Sequence, residues 1–225
     1  MMFKRMALLL SIDASAEKAT VVLAENGVPV AVMTNDVQKT HATWIHGAIT
    51  ECFRLAGAKI TDLQAVGLTS GPGSYTGLRV GMATAKGICY ALNVPLVAVN
   101  SLLAIASSTK QVNGARICAM MDAGRMEVYA ALYTAELEEI QAPAAIILDA
   151  DSFSAELERN SIIFVGSGKN KFEKLCQNSN AIFSKDEFNA SDFSSLIYTK
   201  FIQSDFASLA YLEPLYLKEY RSHIN

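Results

Sequence analysis

The 225-residue sequence predicts an α/β protein of two related lobes, each a mixed sheet flanked by helices. Three observations predict it. Apolar runs of strand length alternate with helical stretches around short Gly-bearing turns, as α/β folds require. The first strands of each half are joined too tightly for a crossover, so they form hairpins and the sheets are mixed. The pattern also occurs twice. In 9-LLSIDASAEKATVVLAENG and 117-ICAMMDAGRMEVYAALYTAE an apolar strand runs into Asp13-Ala14-Ser15 and Asp122-Ala123-Gly124, and a second strand ends at Leu23 and Leu132. Downstream, 65-AVGLTSGPGS and 162-IIFVGSGKNK each lead from a buried strand through Ser-Gly into a helix. Two matches in the same order point to duplicated halves.

In chain order, the first half is expected to carry strands over 6–13, 18–25 and 28–34, a helix over 41–56 and a strand over 65–69. A helix over 76–92 and a short strand over 95–99 complete it. The second half is expected to run strands 116–122, 126–134 and 145–148, helix 151–159, strand 162–166, then helices 169–178 and 191–204. Pro214 keeps the start of the tail 211-YLEPLYLKEY from being helical. The boundary is expected between Asn100 and Asn113, where 107-SSTKQVNG reads as an exposed linker. The lobes are therefore drawn as 1–103 and 104–225, with the last helix or tail returning to the first lobe.

Lys4 and Arg5 before a short apolar run, with a small-x-small end at Ala14–Ala16, mimic a secretory leader. Asp13 interrupts the small-residue region, and the run continues naturally into a second strand, so the segment is read as a core strand. No stretch approaches the roughly 20 apolar residues of a membrane span.

Hydrophobic residues make up 51% of the chain and charged residues 18%, so a face that looks buried can be buried against another chain. The net charge of −3 argues against autonomous nucleic-acid binding. Lys169, Lys171 and Lys174 form the densest basic run and read as a solvated helix face. Cys52, Cys89, Cys118 and Cys176 stand far apart in apolar contexts, which predicts reduced core thiols of a cytoplasmic protein.

The candidate chemistry centres on 70-SGPGSYTGLRVGMATAKGICYAL. Gly71, Gly73 and Gly77 give G-x-G-x3-G, one residue off a dinucleotide fingerprint, and no Lys-Ser/Thr follows to make a Walker loop. Two readings stand. Asp13, Ser15, Gly71, Gly73, Ser74 and Thr76 could cradle a nucleotide phosphate at a helix N-terminus. Alternatively, the glycines only permit a tight turn and close packing. Asp13 and Asp122, at matching strand ends, could hold Mg²⁺, or could cap their turns through Asx hydrogen bonds, with Arg125 as the local partner of Asp122. His41 and His46 are five apart, about 140° on a helix at ~100° per residue, so they cannot share a metal as an i,i+4 pair does. A metal centre is not expected, and neither is a Ser-His-Asp triad.

Both first-half helices are too broadly apolar for one buried face each. On the first, the stripe is Trp44, Ile45, Ala48, Ile49, Cys52 and Phe53. On the second, Leu78, Met82, Ala85, Cys89 and Leu92 suit its own sheet, which leaves Val80, Ala83, Thr84, Gly87 and Ala91 on the other side. A partner interface is expected there.

At these residues the sequence resembles the TsaB (YeaZ) family. The resemblance rests on 70-SGPGSYTGLRVGMATAKGICYAL with 95-PLVAVNSL, and is joined by 11-SIDAS, His41, 121-MDAGRMEVYAALY and 214-PLYLKEY. Ala14 stands where the family commonly has Thr, and Gly124 where a charged residue often stands. The resemblance implies an actin-like ASKHA (RNase H-like) fold. It implies a non-catalytic scaffold that binds TsaD, the threonylcarbamoyltransferase that makes N6-threonylcarbamoyladenosine in tRNAs reading ANN codons. The ATPase TsaE is implied as a further partner, with tRNA reached only through the complex. The two first-lobe helices are implied to bundle with TsaD, or with a second copy, using His41, Trp44, Ile45, Ala48, Ile49 and Cys52 of one helix. Val80, Ala83, Thr84, Gly87 and Ala91 of the other complete that set. No cofactor is required of this chain, with ATP or ADP-Mg expected at the TsaD interface. Two other classes stay open: an ASKHA-type ATPase or kinase using Asp13, the Ser70–Thr76 loop and Asp122, and a metal-independent peptidase.

Overall fold

The structure is a computed structural model that describes residues 6–37, 40–110 and 114–218. The chain divides into two compact units, residues up to Asn100 with Asn189–Leu215, and Ser101–Phe188 with the segment from Tyr216.

The first unit opens with β1 (Leu8–Asp13), β2 (Ala19–Glu25) and β3 (Val28–Asn35), followed by α1 (His41–Ala56) and a 3₁₀ turn at Ile60–Asp62. Then come β4 (Ala65–Thr69), α2 (Tyr75–Leu92) and β5 (Leu96–Val99). The sheet order is β3-β2-β1-β4-β5, with β1–β2 and β2–β3 antiparallel and β1–β4 and β4–β5 parallel. The parallel pairs need helical crossovers, and α1 and α2 supply them. β1 is buried along its whole length, as a central strand covered on both faces must be. Its Leu8, Leu10 and Ile12 pack with Ile45, Ile49, Cys52 and Met82 beneath α1 and α2. Alternation sends Leu9, Ser11 and Asp13 to the opposite face.

The second unit holds α3 (Ser101–Ser107), β6 (Arg116–Asp122), β7 (Glu127–Tyr133), β8 (Glu139–Ile147) and α4 (Ser154–Leu157). β9 (Ile162–Val165), α5 (Lys169–Glu173) and β10 (Ala181–Phe183) follow; α6 (Ala190–Ile202), the last helix among the described residues, lies in the first unit. The sheet order is β10-β9-β6-β7-β8, the same connectivity strand for strand as the first unit. Its core is aromatic: Phe164 and Phe172 lie 4.9 Å apart, with Phe153 and Phe183 against both.

The units part between Asn100 and Ser101, within the expected range. The exposed linker expected over 107–114 needs correction: Ser107 ends α3, which packs on β6 and β7, and Ser108 and Thr109 after it are buried. Residues 111–113 lie outside the described residues. Conversely, α6 belongs to the first unit, where it covers the face opposite α1 and α2. Ser194 Oγ donates to the Gly27 carbonyl at 2.9 Å. A Cβ on Gly67 would meet Ile197 Cγ2 at 2.5 Å, so glycine in β4 is what lets α6 settle on the sheet. Each repeat thus hands its final helix to the other unit's sheet.

Several elements differ in extent from expectation. β8 is nine residues, not four, because the half from Glu139 lies exposed on the sheet edge and carries no continuous apolar signal. Pro143 sits in this edge strand, where a missing N–H costs least. The helices expected over 151–159 and 169–178 shrink to Ser154–Leu157 and Lys169–Glu173. β10 is a strand that the sequence reading did not anticipate.

Candidate docking face and glycine loop

The glycine loop is bound up with the chain's own backbone. Ser74 caps α2, its Oγ accepting from the Gly77 N–H at 3.3 Å, and its own N–H donates to the Ser15 carbonyl at 2.7 Å. A Cβ on Gly73 would fall 2.2 Å from the Ser15 carbonyl oxygen, and one on Gly77 2.0 Å from that of Ala14. At Gly71 it would fall 2.6 Å from the Leu215 carbonyl oxygen, while the Leu215 N–H donates to Ser70 O at 2.7 Å. These glycines are close-approach positions that lock the start of α2 onto the end of β1 and onto the tail.

Asp13 is buried and saturated on one oxygen. Its Oδ1 accepts from the Ser15 N–H at 3.0 Å, Ser15 Oγ at 2.6 Å and Thr69 Oγ1 at 2.6 Å. Asp122 repeats the Asx turn, with Oδ1 accepting from the Gly124 N–H at 2.6 Å. Its charged partner is Lys171 at 2.6 Å, not Arg125 as expected. Partial burial raises the Asp122 carboxyl, but the Lys171 ammonium and the Gly124 N–H outweigh it and hold the group below its ordinary value. Among the described residues, no three His, Cys, Asp or Glu side chains gather as metal ligands would. Thr76 stands exposed on the first turn of α2, outside the Asp13–Ser15 network.

The two first-unit helices lie side by side, with His46 Nε2 3.5 Å from Thr84 Oγ1 across the seam. Burial sorts the expected interface residues into two groups. Ile45, Ala48, Ile49 and Cys52 point into the unit's own core and are not surface residues. His41 is buried too, its Nδ1 3.2 Å from Asn35 Nδ2 and its Nε2 3.4 Å from the Ala16 carbonyl. Thr84 is buried in the seam. The breadth of the α1 stripe therefore reflects contact with both the sheet and α2. Gly81 and Ala85 likewise face the sheet, with Ile12 and Ala14 within 4 Å of where a Gly81 Cβ would stand.

Ala83, Gly87 and Ala91 are exposed, and Trp44 and Val80 half-buried. The helical-wheel reading missed Ala42, His46, Gly47, Thr50, Leu55 and Tyr90, which are exposed on the same two helices. Their signal is weak, because small and mildly polar residues look like an ordinary solvated side. The glycines give it away: a Cβ at Gly47 or Gly87 would meet nothing within 4 Å. Mid-helix glycine is about 1 kcal/mol less favourable than alanine, and the chain's own packing requires it at neither position.

Two five-stranded mixed sheets of one connectivity, each faced by helices, define the actin-like (ASKHA) class. A family model described as "TsaD: tRNA N6-adenosine threonylcarbamoyltransferase" matches residues 28–222. The Escherichia coli (strain K12) tRNA threonylcarbamoyladenosine biosynthesis protein TsaB is 26% identical over 223 residues, 93% of this chain and 94% of that one. The Haemophilus influenzae protein of the same name is 32% identical over 123 residues, 54% of this chain and 51% of that one. The solved structure of YeaZ from Pseudomonas aeruginosa superposes with a TM-score of 0.79 at 24% identity, covering 94% of this chain and all of that one. The chain belongs to the TsaD family, and it is similar to the TsaB (YeaZ) proteins over nearly its whole length.

Proposed function

We propose that the chain serves tRNA threonylcarbamoyladenosine biosynthesis as a non-catalytic subunit that docks a TsaD-type threonylcarbamoyltransferase through the exposed faces of α1 and α2. The observation that carries the reading is the pair of open mid-helix glycines, Gly47 and Gly87. Helix glycines without an internal reason suit close approach by a helix from outside. The modification reached is N6-threonylcarbamoyladenosine of tRNAs reading ANN codons. TsaE is a further member of the complex, and the same face serves a second copy when the partner is absent. Two observations support the non-catalytic part. Asp13 Oδ1 already accepts three donors, and the glycine loop is packed on Ala14, Ser15 and Leu215. An ASKHA-type ATPase or kinase built on Asp13, the Ser70–Thr76 loop and Asp122 would have to work with Asp13 Oδ1 already engaged and with a loop already packed on the chain's own backbone. In this reading any ATP or ADP-Mg binds at the interface with TsaD, and tRNA contacts come through the complex.

A cytoplasmic location fits the four free thiols. Among the described residues, no helix is long and apolar enough to cross a membrane.

Co-elution with the TsaD-type chain of the same organism tests the reading. Ala83→Arg, on an exposed helix position, should leave the fold intact and abolish co-elution. Normal co-elution of that variant would remove the helices from the interface. ATP turnover by the isolated chain that disappears in Asp13→Asn would favour the enzyme instead.

A further inference from the structure

The α2 face has a second flank that no helix provides. On the α2 wheel, Thr84 lies about 100° to one side of Ala83 and Lys86 about 60° to the other, at ~100° per residue. The Thr84 side meets α1, through His46. On the Lys86 side runs the segment that follows α6: Lys86 Nζ donates to the Leu212 carbonyl at 2.7 Å. Two more bonds hold this segment on the same unit. The Ala207 N–H donates to Leu96 O at 2.8 Å, and the Leu215 N–H to Ser70 O at 2.7 Å. Leu209 and Leu212 pack against the core beneath.

The tail is therefore anchored, yet Tyr211 next to the Leu212 tie is 86% exposed. Tyr90, one turn beyond Lys86 on α2, is 83% exposed. Within α2 Tyr90 falls on the arc between Lys86 and Ala83. A large aromatic left in water on a backbone fixed by hydrogen bonds has lost chain entropy without burying its ring. Tyrosine is also among the side chains that most often anchor an interface.

We infer that tail residues 208–215 form the third element of the docking face, with Tyr211 as an aromatic anchor on the Lys86 flank of α2, the side that also carries Tyr90. α1, α2 and the tail then present a floor of small residues, Gly47, Ala83 and Gly87, with aromatic side chains along the tail edge. The occupant is the TsaD-type chain. The inference rests on the docking reading above, and is continuous with that face through Lys86.

The test is a calorimetric titration of the TsaD-type chain with four full-length variants. Tyr211→Ala is expected to raise Kd about tenfold or more, as interface tyrosines at such anchors do. Tyr211→Phe should stay within about threefold, because the ring supplies most of the contact area. Lys86→Met, which releases the tail's tie, should weaken binding while helix content is retained. Ala83→Arg is the control for the helices. If Tyr211→Ala binds within about twofold of the parent while Ala83→Arg does not bind, the tail is outside the face and the helix reading stands alone. If Ala83→Arg also binds as the parent does, both readings fall. If Tyr211→Ala alters self-association only, the ring belongs to a contact between copies and the inference is overturned.

Discussion

The Cβ that Gly77 lacks would lie 2.0 Å from the carbonyl oxygen of Ala14, a backbone atom that cannot swing aside. The first turn of α2 is thereby held against the end of β1, where Asp13 and Ser15 close their own hydrogen-bonded turn. Gly77→Ala should destabilise the protein by about 1–3 kcal/mol, the usual cost of overpacking. Chemical denaturation measures it; an unchanged midpoint would show that the loop has room, and would reopen the phosphate reading.

Gly87 and Gly47 predict the opposite sign. With open space at both Cβ positions, Gly87→Ala and Gly47→Ala should each stabilise the isolated chain, by up to about 1 kcal/mol. The same methyls should weaken partner docking. A gain in both stability and affinity would contradict the view that these glycines are kept for close approach.

The fold was largely legible in the sequence because its two repeats carry the same strand–turn–strand signature at Asp13 and Asp122. The placement of α3 was not, because it is short and nothing local in Ser101–Ser107 tells which sheet it covers. The docking face was legible only in part. An apolar stripe on α1 reports burial, not what does the burying, so Ile45, Ala48, Ile49 and Cys52 were assigned outward although sheet and α2 enclose them. Gly47 and Tyr90 carry the surface better, but the open space where a Gly47 Cβ would stand and the bare Tyr90 ring arise only once the helices are packed.

Ser11 offers a third test. Its Oγ is buried in β1 without a hydrogen-bond partner, whereas a satisfied hydroxyl would contribute to stability. Ser11→Ala should be neutral or stabilising by up to about 1 kcal/mol. A loss greater than that would mean that the hydroxyl is paired, for instance through an internal water.

Acid stability should register the Asp122–Lys171 pair. The folded carboxyl sits below its ordinary value, so its contribution is present above the unfolded pKa of roughly 4 and fades as pH falls through the folded one. The pair is part-exposed, which limits the effect to about 1 kcal/mol or less. Lys171→Met should flatten that limb of the stability–pH curve. An unchanged curve would mean the pair contributes nothing.

Thiol chemistry separates the cysteines. Burial pushes Cys52 and Cys89 up to about 11 and Cys118 higher still, while Cys176 is half-buried. Iodoacetamide at pH 8 should therefore modify Cys176 first in the native protein, and all four after unfolding. Early modification of Cys52 would show that α1 opens from the sheet.

The central claim, that α1 and α2 dock a TsaD-type chain, is tested most directly by calorimetric titration of that chain with this one, with and without ATP-Mg. Saturable binding that vanishes in Gly87→Arg while the thermal unfolding midpoint is retained is the result predicted. ATP should change the affinity if nucleotide sits at the interface. Equal affinity for the parent and Gly87→Arg, or no binding under either condition, would contradict the account.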